Sequence, residues 1–154
     1  MTEPVDCDVC SMFDNPGRAR ELWIHDDELV LLGHVAPSPE SPMDGYPGHL
    51  LLVPRRHIES PAALTTEEAQ RVGLWLALGS RILETEQHAE HVYLLRLGDG
   101  WRHLHYHFVP RYPGTPEDYR GLEVRDWEGV PRCDWAQAAE IAVALRRAGA
   151  QLTP

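Results

Sequence analysis

The segment His103-Leu104-His105-Tyr106-His107-Phe108-Val109-Pro110 restricts what this chain can become more than any other stretch. Side chains alternate across a β-strand, so a strand here places three histidines on one face. Leu104, Tyr106 and Phe108 then take the other face, where they can pack on a core. With 9 histidines in 154 residues, chance supplies such a triplet about 0.03 times, and fewer with apolar residues between them. Three readings of the row are open. It is a solvated strand face, a source of metal ligands, or a nucleophilic site. A strand rise of about 3.4 Å per residue sets the Cα atoms of His103 and His107 about 13 Å apart, too far for all three rings to hold one ion. A neutral imidazole is a competent nucleophile near pH 7. The attacking nitrogen must keep its lone pair, so the other must donate its proton to a fixed acceptor. Neighbouring histidines that donate to phosphoryl oxygens suit attack on phosphorus.

Around this segment the pattern predicts an α+β domain, an antiparallel β-sheet with two main helices. Leu29–Leu32 and Leu50–Val53 are short apolar runs bounded by turn residues. Val92–Leu97 and His103–Val109 read as a hairpin about Gly98-Asp99-Gly100. Thr65-Thr66-Glu67-Glu68 is a capping box, followed at helical spacing by Ala69, Val72, Leu76, Gly79 and Leu83. The second helix runs from about Asp134 to Arg147, with Asp134 as cap and Gly149 as stop. One domain is expected over 1–154, with a core at about 5–112 and a C-terminal loop and helix at 113–150.

Composition narrows the function. The net charge of −10, from 24 acidic and 14 basic residues, argues against nucleic-acid and anionic-membrane partners. Every basic residue is arginine, which excludes Schiff-base lysine chemistry and a P-loop lysine. Three cysteines do not suggest a disulfide framework. Cys7-Asp8-Val9-Cys10 is a Cys-x-x-Cys pair, which alone is a metal half-site, a redox motif or chance spacing; Cys133 has no partner. No apolar run is long enough to span a bilayer, and the polar stretch Met1–Asp8 does not read as a secretory signal. A soluble cytoplasmic protein is expected.

His-x-His-x-His followed by two apolar residues resembles the signature of the histidine-triad (HIT) superfamily of nucleotide hydrolases and transferases. The likeness extends to Gly48-His49-Leu50-Leu51-Leu52-Val53-Pro54-Arg55-Arg56-His57, to Val109-Pro110-Arg111-Tyr112 and to the N-terminal Cys-x-x-Cys of zinc-binding members. It covers residues 5 to 112. The resemblance implies a HIT-like fold, usually dimeric, with His105 attacking an α-phosphorus to form a nucleotidyl-histidine that water then cleaves. His107 would touch the phosphate or leaving group, and His103 would lie beside the centre as the third catalytic histidine. It also implies a structural Zn2+ held by Cys7, Cys10, His57 and His103. Two thiolates and two imidazoles suit a closed tetrahedral site.

The sequence departs from the family before the triad. Gly98-Asp99-Gly100-Trp101-Arg102 stands where many members carry Gly-Gln or Gly-Gln-Ser to hold the phosphate. The candidate substrate-binding residues are therefore Asp99, Gly100, Arg102 and His107, with Arg102 or the N–H groups of the glycine turn replacing the glutamine. Gly33-His34 stands where a ribose-binding aspartate is expected. Arg55 and Arg56 are either phosphate ligands or a solvated pair. His49 reads as a loop or strand-start residue, and His25, His34, His88 and His91 as surface histidines. The leading expectation is a nucleotide-cleaving enzyme acting on dinucleoside polyphosphates or nucleoside phosphoramidates, as a homodimer. A non-catalytic nucleotide-binding module and a zinc enzyme with an open coordination position are the alternatives.

Overall fold

The computed structural model describes residues 7–152; residues 1–6, and with them most of the polar stretch from Met1, lie outside the described residues. Helix α1 (Asp8–Asp14) and a 3-10 turn (Gly17–Leu22) lead into strands β1 (Trp23–Asp26), β2 (Val30–His34) and β3 (Leu50–Pro54). Helix α2 (Thr66–Glu86), strands β4 (His91–Leu95) and β5 (Tyr106–Arg111), a 3-10 turn (Gly121–Arg125) and helix α3 (Trp135–Leu152) follow. The strands form one five-stranded sheet in the order β1-β2-β3-β5-β4, every pairing antiparallel. This is the expected α+β architecture.

Alternation divides the sheet into two faces. Val30 and Leu32 on β2, Leu50 and Leu52 on β3, and Phe108 on β5 join Val72, Trp75, Leu78, Ile82 and Leu83 of α2 and Ala142 and Leu145 of α3 in one buried core. The register pairs Gly33 with Leu51 and Leu51 with His107, so these residues, with Leu31 and Val53, occupy the face turned away from both helices. This face, turned away from α2 and α3, carries His107 and is flanked by α1.

The capping box forms as the sequence predicts: Glu68 N–H donates to Thr65 Oγ1 at 3.2 Å, and Thr65 N–H donates to a Glu68 carboxylate oxygen at 2.8 Å. The buried stripe of α2 differs from the expected one. Ala69 is exposed and Leu76 only half-buried, whereas Trp75, Leu78 and Ile82 are buried. Gly79, a member of both stripes, faces the Phe108 ring and lets the helix sit close on the sheet. Gly149 does not stop α3. It lies inside the helix, where the Trp75 ring stands 3.4 Å from where its Cβ would be.

The histidine segment is also corrected. Strand β5 begins at Tyr106, so of the three histidines only His107 lies in a strand. The register that pairs Leu52 with Tyr106 would next set Pro54 against Leu104, and proline has no N–H for the ladder. Leu104 N–H donates instead to Ile58 O at 2.6 Å. Strands β4 and β5 do pair, but across a loop longer than a tight turn about Gly98-Asp99-Gly100.

Candidate active site and metal centre

His103 joins two groups of side chains. On one side its Nδ1 lies 3.6 Å from Cys7 Sγ and 3.6 Å from Cys10 Sγ, and His57 Nδ1 lies 3.5 Å from Cys10 Sγ. The four ligand atoms of Cys7, Cys10, His57 and His103 all fall within 4.8 Å of one another. Zinc–sulfur bonds of about 2.3 Å and zinc–nitrogen bonds of about 2.0–2.1 Å, opened to the tetrahedral angle, give a sulfur–nitrogen edge of about 3.6 Å. The donor set and its spacing thus fit a tetrahedral ion. His103 Nε2–H donates to Pro54 O at 2.7 Å, which turns the Nδ1 lone pair toward the thiols. Burial, then the neighbouring Cys7, pushes the Cys10 thiol up to about 11. Loading a metal there must therefore release protons.

On the other side, His103 O accepts a 2.7 Å hydrogen bond from His105 Nδ1–H. A carbonyl can only accept, so Nδ1 carries a proton, and in the neutral ring the lone pair is then on Nε2. His105 is buried, and its ring meets Trp101 at 5.6 Å and His107 at 5.0 Å between centroids, both edge-on. His107 Nδ1 lies 3.0 Å from His49 Nε2. Burial, then His105, then Arg125, pulls His107 down to about 4. His49 is held well below the usual imidazole range by burial first and Arg125 second.

Beside the row, between α1, the turn Gly17–Leu22 and the face of β2 and β3 turned away from α2 and α3, lies an apolar cavity of about 470 Å³. Val9, Leu22, Leu31, Leu51, Val53 and Trp101 line it. Trp101 thus borders both the cavity and the His105 ring. The volume is that of a small-molecule pocket.

Other sequence candidates fall elsewhere. Asp99, Gly100 and Arg102 are exposed, and Arg102 leans toward Glu59 at 3.7 Å. Arg55 is bound to Asp26 and to Asp27 O, and Arg56 makes a two-pronged contact with Glu68 at 2.7 and 2.8 Å. Arg56 is exposed to solvent even so; through these carboxylates the two arginines tie the loop before His57 to β1 and α2. His34 is not on the surface. It is buried, donates from Nδ1–H to Val35 O at 2.7 Å and accepts from Gly48 N–H at 2.9 Å, and burial pulls it down to about 4. His25 is half-buried, stacked on Trp75 with 4.1 Å between centroids. His88 and His91 are exposed as expected.

Two members of the site were not expected as such. His49 is buried against His107; its signals were its place one residue before an apolar strand and the Gly48-His49 pair in the segment that resembles the family, and neither gave it a role. Arg125, 3.4 Å from His49 Nδ1, comes from a turn far along the chain with no sequence signal at all.

The fold has known counterparts. A hypothetical histidine triad nucleotide-binding protein from Sulfolobus tokodaii strain7 superposes with a TM-score of 0.66 at 20% identity, covering 95% of this chain and 93% of that one. A Zn-bound histidine triad family protein from Mycobacterium smegmatis gives 0.65 at 22% identity, with 96% and 95% covered. A histidine triad protein from Bradyrhizobium japonicum gives 0.60 at 25% identity, with 85% and 93% covered. No curated protein matches the chain. The family described as "Scavenger mRNA decapping enzyme C-term binding" matches residues 7–116. These residues run from the first cysteine through the histidine row, and on that match the chain belongs to this family, as a histidine-triad protein.

Proposed function

We propose that this protein cleaves nucleotides at an α-phosphate through a covalent nucleotidyl-His105. The observation that carries the reading is the 2.7 Å hydrogen bond from His105 Nδ1–H to His103 O, which leaves Nε2 as the nucleophile. A base in the apolar cavity would set its phosphate near Trp101 and His105. In the first step an Nε2–phosphorus bond forms and the bond to the leaving group breaks, its electron pair departing with that group. Water then attacks phosphorus, the phosphorus–nitrogen bond breaks with its pair returning to Nε2, and one proton of the water passes to solvent. His107 and N–H groups of the Asp99–Arg102 turn would hold the phosphoryl oxygens.

Cys7, Cys10, His57 and His103 would hold a zinc ion whose chemistry there is structural: four protein ligands close its shell. The set ties the start of α1 and the loop after β3 to the main chain that orients His105. In this reading the thiols stay reduced in the cytoplasm. The described helices contain none long and apolar enough to cross a membrane. Dinucleoside polyphosphates and nucleoside phosphoramidates are the substrate classes, and exposed Leu94 and Leu97 at and beyond the edge strand β4 suit a homodimer contact.

The second reading is a nucleotide-binding module without turnover. It is favoured by the exposure of Asp99 and Arg102, which leaves the phosphate few preformed side-chain donors. Acid-quench mass spectrometry with a panel of dinucleoside polyphosphates, nucleoside phosphoramidates and nucleotide sugars separates the two. A nucleotidyl adduct on His105, absent in His105→Ala, is expected. No adduct and no released mononucleotide across the panel would leave the binding module.

A further inference from the structure

A buried pair of histidines in contact has several ways to place its protons, and each serves a bound anion differently. His49 and His107 are such a pair, 3.0 Å apart between His49 Nε2 and His107 Nδ1. What decides among the arrangements lies behind His49. Arg125 Nη1 stands 3.4 Å from His49 Nδ1. A guanidinium stays charged and only donates, so His49 Nδ1 must accept. A neutral imidazole then carries its one proton on Nε2, which donates to His107 Nδ1. That leaves the proton of neutral His107 on its own Nε2, the ring nitrogen that His49 does not engage.

From this chain of contacts we infer that Arg125 is a positioning residue, acting through His49 to make His107 a neutral Nε2–H donor beside His105. The functional consequence rests on the nucleotidyl-histidine reading; the tautomers do not. A preset N–H aimed at developing negative charge is worth most where water is excluded.

Arg125 is itself well held. It ends the turn Gly121–Arg125, in which Val124 is fully buried against Tyr46 and Val109. Arg132 Nη2–H donates to Arg125 O at 2.8 Å. Among the described residues Arg125 forms no ion pair with a carboxylate that would draw it away from His49. The charged and titratable groups facing His49 are Arg125, His107 and His34; those facing His107 are His105, His49 and Arg125. Protonating either ring would bring two cations together in a buried place. The turn lies beyond residues 7–116, so the family match does not include this residue.

Long-range proton–nitrogen spectra of histidine-labelled, zinc-loaded full-length protein at pH 7 read the tautomers directly, with His49→Gln and His107→Gln for assignment. In the unsubstituted protein both rings should show a protonated Nε2 and a bare Nδ1. Arg125→Leu should shift His49 toward the Nδ1–H form and unsettle His107. Arg125→Lys, which keeps a charged donor, should restore the pattern. Turnover in Arg125→Leu should fall at least about tenfold in kcat with little change in KM. A protonated His49 Nδ1 in the unsubstituted protein, or tautomers indifferent to Arg125→Leu, would overturn the inference. The first of these needs no variant, so it decides even if Arg125→Leu fails to fold. Tautomers that respond as stated in a protein with no turnover would refute the nucleotidyl-histidine reading alone.

Discussion

Two glycines six residues apart on α2 should respond to the same substitution with opposite signs. At Gly79 an alanine Cβ would stand 2.6 Å from Phe108 Cε1, 3.0 Å from Cζ and 3.3 Å from Cδ1. The ring is fully buried and rigid, so helix and strand must part. Overpacking of this kind costs about 1–3 kcal/mol, and with three close contacts the upper end applies. The gain in helix propensity, at most ~1 kcal/mol, leaves a net loss of about 2 kcal/mol. At Gly73 nothing lies within 4 Å of the added Cβ, so only the propensity gain of about 0.5–1 kcal/mol remains. For a chain of this size Gly79→Ala should lower Tm by about 4–8 °C, whereas Gly73→Ala should raise it by about 1–4 °C. Urea unfolding followed by circular dichroism, at one fixed zinc concentration, measures both. Phe108→Leu should rescue part of the Gly79→Ala loss, with a favourable coupling of at least about 1 kcal/mol. Equal effects at the two glycines, or no coupling, would refute the close approach of α2 to β5.

Two further outcomes follow from the site. His34 has its folded pKa pulled down to about 4, so between pH 6.5 and 4 the unfolded chain binds the extra proton and stability falls as pH falls. This costs about 1.5 kcal/mol between pH 6.5 and 5, and urea titrations of His34→Gln should show a flatter acid limb; an unchanged limb would mean that His34 does not stay neutral when folded. Cys10→Ser, or a strong chelator, should cost on the order of 4 kcal/mol and lower Tm by roughly 10 °C. Calorimetry with metal analysis would expose an error here: activity lost at unchanged stability would assign the ion to the chemistry instead of the framework.

The sequence by itself determined four of the five strands, the two long helices and the histidine row, because these rest on local periodicity. The strand Trp23–Asp26 and the helix Asp8–Asp14 carried no pattern legible in it. The capping box at Thr65 and Glu68 is a contact between residues three apart, and the alternation of Tyr106, His107 and Phe108 follows from the pleat alone. The cysteine pair and the triad were legible because their spacing resembles a family. Where β5 begins was not, since that depends on Pro54 lying opposite Leu104 across a sheet pairing that no local pattern specifies. Arg55 and Arg56 looked free because their partners Asp26 and Glu68 are brought to them only by folding. His34 looked like a surface residue for the same reason: its burial is sustained by Val35 O and Gly48 N–H, one local and one from the turn before β3. Arg125 was hidden most completely, 76 positions from the histidine it touches. Local sequence can name an imidazole, but which of its nitrogens holds the proton is decided by the donors and acceptors that tertiary structure places against it.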